Sequence, residues 1–300
     1  MPLALGLTCQ MVVGIAAGVV LCIVLLILEL LNLVTPIVAS GSGADQEVVE
    51  KTAEFSFIAS GVENPNLVLM ILLFATLSVV LLGMKWYKKY KTEQEFGLKE
   101  LWDWKLSVSL LSLGVSLQLL LALCLNAVYQ LLPQTLTQEY AELMGTLEGS
   151  KVLVILLTVI LAPLGEEFLF RGVTMKKAEA LMPFLYANVF QAVMFGVYHL
   201  NLIQGCYAFV MGMIFGYVAR YFHSIWASVL LHACINAAAI LLGELPAAVT
   251  ETLYGIAGMA VTGILLLFMA MKCFPMAKKQ RQTEKTEEIE NFSDNSFDER

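Results

Sequence analysis

Three short stretches carry the residues that could do chemistry. "LAPLGEEFLFRG" (161–172) holds Glu166, Glu167 and Arg171, "FGVYHLN" (195–201) holds His199, and "LLHACINAA" (230–238) holds His232 and Asn236. All lie in apolar surroundings, where a charge at the centre of a bilayer costs about 3 kcal/mol on insertion scales, so each needs a compensating role. Hydrolysis would supply one. It needs a base, a stabiliser for a developing oxyanion and a pocket that admits water. A desolvated carboxylate is a strengthened base, and imidazoles and an amide can orient water and donate to an oxyanion. Glutamate with two histidines is also a zinc ligand set with one open position. The residue types therefore suit hydrolysis with or without a metal.

Helical spacing sharpens the reading, because residues four apart project from one face. Glu167 can pair with Arg171, Phe195 lies one turn before His199, and Asn236 lies one turn after His232. At about 1.5 Å per residue, Glu166 is roughly 16 Å from the flank at Lys177, His232 roughly 12 Å from Ser224, and His199 roughly 24 Å from Pro183. Tilt or a broken fifth helix absorbs the difference, so one polar site in the cytoplasmic half of the membrane is geometrically allowed. The plainer readings are a pair of interfacial glutamates, an arginine snorkelling to the surface and lone histidines at helix contacts. All of these must hold at once for the site to vanish.

The elements that must position these residues are membrane helices. The 300 residues are 59% hydrophobic and 14% charged, with a mean hydropathy of +0.77, against about 25% charged in a soluble domain. Eight apolar stretches of spanning length lie near 11–36, 66–84, 105–132, 151–175, 183–201, 203–222, 225–243 and 251–272. The expected fold is an all-α, polytopic integral membrane protein. Basic residues at 85–91, Lys99, Lys105, Lys176, Lys177, Arg220 and 278–281 alternate with acidic loops at 37–65, 133–150 and 244–252. That bias puts both termini in the cytoplasm. The domains expected are N-terminal helices and loops over 1–150, a catalytic membrane domain over 151–243, a last span at 251–272 and a disordered cytoplasmic tail at 277–300.

Other features exclude functions. The net charge of −7 and scattered basic residues argue against nucleic acid as a partner. Six cysteines without a C-x-x-C pair give neither a disulfide framework nor a zinc ribbon. No lysine or arginine precedes the first apolar run, which argues against a cleaved signal peptide. The Gly212/Gly216 pair has helix-contact spacing and reads as packing.

Taken in order, E-E-x-x-x-R (Glu166, Glu167, Arg171), F-x-x-x-H (Phe195, His199) and H-x-x-x-N (His232, Asn236), with "FRG" at Phe170–Gly172, resemble the CAAX protease and bacteriocin-processing family of intramembrane proteases. The resemblance covers about 165–237. It implies peptide-bond hydrolysis, with Glu166 as the base that activates water, His199 as a partner that holds it, and His232 with Asn236 as the oxyanion pair. Glu167 and Arg171 would shape the site through their ion pair, with Phe195 in support. If a divalent metal such as zinc takes part, Glu166, His199 and His232 are its ligands. The lack of an H-E-x-x-H helix favours glutamate-activated water.

The expected substrate is a membrane-associated or lipidated peptide or protein, met in the lipid bilayer, with the plasma membrane as the expected site. A prenylated C-terminus, a bacteriocin precursor or an anchored regulatory protein would each suit such a cleft. Two other classes share the residues: a proton-coupled transporter, disfavoured by the lack of an inverted repeat, and a non-catalytic immunity or scaffold protein.

Overall fold

The computed structural model describes residues 65–92, 95, 97, 103–145, 147, 149–246 and 250–298, with side chains as far as Pro275. Its elements are α1 (Pro65–Tyr90), α2 (Trp104–Tyr129), α3 (Gln134–Gly145), α4 (Lys151–Glu179), α5 (Phe184–Tyr198), α6 (Leu202–Tyr221), α7 (Ile225–Gly243) and α8 (Leu253–Asp298). There is no strand among the described residues. Leu73–Arg300 form one compact unit; of the other, Met1–Leu72, the described part is the start of α1.

Among the described residues six helices are long and apolar enough to cross a membrane: α1, α2, α4, α6, α7 and α8 as far as Pro275. The chain is an integral membrane protein. They correspond to six of the eight expected spans. The stretch at 11–36 lies outside the described residues. The stretch at 183–201 yields only the 15 residues of α5, about 22 Å of helix against a hydrocarbon core of about 30 Å. The cause is local. His199 caps the C-terminus of α5, Leu200 takes a φ of 53°, and the Asn201 side chain then accepts the Gln204 N–H at 3.0 Å to start α6.

Two further differences from the sequence expectation have compositional causes. The loop 133–150 contains α3, a mixed polar and apolar helix with no buried residue. The tail after Pro275 continues α8 to Asp298 instead of ending as a coil. Its lysines, glutamates and glutamines are good helix formers.

Inside the compact unit, α8 packs along α2, α6 along α5, and α7 against both α2 and α4. The core where α2, α5, α6 and α7 meet includes Leu106, Leu110, Phe195, Phe215, Phe222 and Leu231. A Cβ on Gly196 would stand 2.7 Å from the Gly205 carbonyl oxygen, so α5 and α6 touch backbone to backbone. Lys176 bonds Glu95, and Arg220 lies 3.6 Å from Glu179, so the ends of α4 and α6 and the segment after α1 form one charged rim. At the opposite end of α4, Lys151 pairs with Glu244 at 2.7 Å.

Candidate active site

The site begins with an irregular helix. α4 is interrupted by two π-helical segments, Leu156–Leu161 and Phe170–Met175, which bracket the eight-residue α-helical stretch, about two turns, that carries Glu166 and Glu167. The first is followed by Pro163. The proline has no N–H to give to a preceding carbonyl, and the Ala162 N–H turns back to the Leu157 carbonyl in the wider i→i+5 register. In the second, the Thr174 hydroxyl donates to the Leu169 carbonyl five residues earlier at 3.0 Å. Such segments concentrate at functional sites.

From this turn Glu167 points inward. Its Oε1 accepts from Arg171 Nη1 at 2.8 Å, with both side chains fully enclosed, and from His232 Nδ1 at 2.9 Å. Arg171 has a second partner, donating from Nη2 to the Gly212 carbonyl at 3.2 Å. Its guanidinium carbon also lies 4.5 Å from the Phe195 ring centre and 5.0 Å from that of Phe215. A buried ion pair survives on such added bonds, because desolvation otherwise cancels its Coulomb gain, and two aromatic faces add cation–π attraction.

Glu166, one residue earlier, takes a different direction. Its side chain keeps 13% of its surface exposed, and Oε2 stands 3.7 Å from His232 Nε2. That separation is too long for a direct hydrogen bond. His232 is thus held through Nδ1 by one glutamate and turns its other nitrogen toward the next. The Phe215 ring stacks on it at 4.6 Å and 21°.

His199 is fixed from its own helix. Its Nδ1 lies 2.8 Å from the Phe195 carbonyl oxygen. A carbonyl only accepts, so Nδ1 carries a proton, and in the neutral ring Nε2 keeps a lone pair. Phe195 meets His199 edge-on at 4.8 Å and His232 edge-on at 6.0 Å, so one phenyl ring spaces both imidazoles.

Asn236 goes elsewhere. It does sit one turn after His232, but its Nδ2 donates to the Thr158 carbonyl at 2.8 Å, in the first π segment.

Sequence reasoning missed part of the support. Asn188 and Gln191 are buried on α5. Gln191 Nε2 donates to the Gly212 carbonyl at 2.8 Å and to Asn188 Oδ1 at 2.7 Å, and Asn188 Nδ2 donates to the Met213 carbonyl at 3.0 Å. The signal was present: Asn188, Gln191, Phe195 and His199 follow one another at helical intervals. The Gly212/Gly216 pair packs as expected, and it also makes room for this network. A Cβ at Gly216 would lie 1.9 Å from Asn188 Oδ1. Glu167 Oε2, Arg171 Nε and Gln191 Oε1 remain buried without a protein partner. Unmet polar atoms cost stability, which natural proteins accept at functional sites.

The proposed zinc set does not fit this geometry. Among the described residues no three His, Cys, Asp or Glu side chains are grouped so as to hold a metal ion. Glu166 and His232 come together, while the other carboxylate beside His232 is committed to Arg171.

This arrangement now meets an independent comparison. Residues 148–238 match the family model for type II CAAX prenyl endopeptidases, Rce1-like. No curated protein and no solved structure matches the chain. The Rce1-like segment takes in α4 through most of α7, and with them all three motifs. It bears out the resemblance to CAAX-processing proteases, and it indicates a protease of the membrane.

Proposed function

We propose that the chain is an intramembrane endopeptidase in which Glu166 activates water to cleave a membrane-anchored, lipidated peptide near the cytoplasmic face. One observation carries the reading. Glu166 Oε2 and His232 Nε2 face each other across 3.7 Å, too far for a direct bond, which leaves both atoms able to hold one flanking water. Glu166 takes a proton from that water as its oxygen attacks the peptide carbonyl, and then passes the proton to the departing amine, leaving a carboxylate and a free amine. His199 accepts a hydrogen bond from the water at Nε2. His232, oriented by Glu167, donates from Nε2 to the developing oxyanion when it is doubly protonated. The Glu167–Arg171 pair does not touch substrate; it sets the ring.

Glu166→Gln keeps size and removes the base. Cleavage of a fluorogenic lipopeptide by purified protein in lipid should fall at least about 10²-fold. Retained cleavage would refute the assignment. Comparing membrane-protein C-termini in cells carrying wild type and Glu166→Gln identifies the natural substrate.

A further inference from the structure

Asn236 stands in the family motif beside His232, where the resemblance makes it half of an oxyanion pair. The geometry gives its amide another duty. In the i→i+5 register of Leu156–Leu161, the Ala162 N–H serves Leu157. The next carbonyl, that of Thr158, would take its hydrogen from residue 163. That residue is Pro163, which has none. Pro163 is buried, so solvent is not the obvious substitute, and an orphaned carbonyl in such a place is expensive. The Asn236 amide reaches it from α7 at 2.8 Å.

We propose that Asn236 is a positioning residue: its side chain supplies the N–H that Pro163 lacks, and so holds the Glu166-bearing turn of α4 against α7. His232 and Asn236 lie one turn apart, and they fasten the two helices at two points, His232 to Glu167 and Asn236 to Thr158. The first fixes the imidazole. The second fixes the start of the turn that carries Glu166, and with it the gap between Glu166 and His232. This rests on the proteolytic reading above, and it moves Asn236 from the reacting oxygen to the scaffold behind the base.

Pro163 makes the proposal testable. The path of α4 is pinned on both sides by packing, so Pro163→Ala adds one more i→i+5 bond and its new N–H reaches the carbonyl that Asn236 serves. The experiment is a double-mutant cycle on full-length protein in lipid, with kcat, KM and thermal unfolding measured for each variant. Pro163→Ala alone should stay within about threefold of wild type. Asn236→Ala should lower kcat about 10- to 100-fold with little change in KM, the size of effect a small misplacement of a catalytic group produces. In the Pro163→Ala background the same Asn236 change should lower kcat less than about threefold.

An equal loss in both backgrounds would overturn the proposal and return Asn236 to the oxyanion. So would recovery of thermal stability without recovery of kcat, because Asn236 would then be holding the fold and not the base. If Asn236→Ala does not accumulate, the double variant must both accumulate and cleave; failure of either sinks the idea. Glu166→Gln, run alongside, separates this outcome from failure of the proteolytic reading, which would leave that variant active.

Discussion

One oxygen of Glu167 joins two partners: Oε1 takes Arg171 Nη1 at 2.8 Å and His232 Nδ1 at 2.9 Å. An ion pair within α4 thereby orients an imidazole on α7. A carboxylate behind a functional histidine fixes its tautomer and its ring plane, and losing such a partner typically costs 10- to 100-fold.

Glu167→Gln should therefore lower kcat by about 10- to 100-fold. It also strands the Arg171 charge, which removal of a buried partner makes expensive, about 3–5 kcal/mol. Replacing both members, Glu167→Leu with Arg171→Met, should restore much of the stability and none of the activity. Thermal unfolding and peptide cleavage, measured on the same samples, distinguish the two roles. If stability and activity return together, the orienting role is wrong.

Gly216 should refuse a methyl group. Its Cβ would fall 1.9 Å from Asn188 Oδ1 and 2.9 Å from Gln191 Nε2, so Gly216→Ala must displace the amides that support the Gly212 and Met213 carbonyls. The expected loss is about 1–3 kcal/mol. Asn188→Ala in the same background should return part of it by vacating the space. Chemical denaturation in mixed micelles reads both.

The clasp at the charged rim should give acid sensitivity. Burial raises the Glu95 carboxyl, but the hydrogen bonds from Lys176 and Tyr87 and the Lys176 charge outweigh it and hold the group below its ordinary 4.5. A lowered folded value means that the stabilisation is complete above the ordinary carboxylate range and disappears as pH falls through the lower one. Glu95→Gln should destabilise the protein near neutrality by about 1–3 kcal/mol, because it leaves Lys176 without its anion. It should also flatten the stability profile on the acid side of 4.5. A variant with the same acid slope as wild type would place the sensitivity elsewhere.

How far the site was legible depended on the range of each relationship. The Glu167–Arg171 pair and the Phe195–His199 contact follow from four-residue spacing, and both are present, the second edge-on. The Glu167–His232 bond joins residues 65 apart in sequence, and no local pattern says which side of α7 faces α4. Asn236 could be located on its helix but not given its partner, because the 3.6-residue pattern carries no mark of a π segment. Pro163 was the one clue. Likewise, apolar composition marked 183–201 as a span, while the capping chemistry of His199 to Asn201 that ends α5 lies in single side chains.

The two π segments have a last consequence, for how this helix can vary over generations. Each holds a residue beyond what an ordinary α ladder would need, and the wider turn absorbs it, so the α-helical stretches on either side keep their facing. Deleting one letter of 156–161 would leave a regular helix with Lys151–Ile155 and Glu166 facing much as they do, but without the widened turn whose Thr158 carbonyl meets Asn236. On the far side, between Glu167 and the rim at Lys176, the widened turn carries the Thr174 bond to the Leu169 carbonyl. α4 therefore tolerates a change of length by one letter at two places, and what such a change removes there is the polar contact and not the path of the helix.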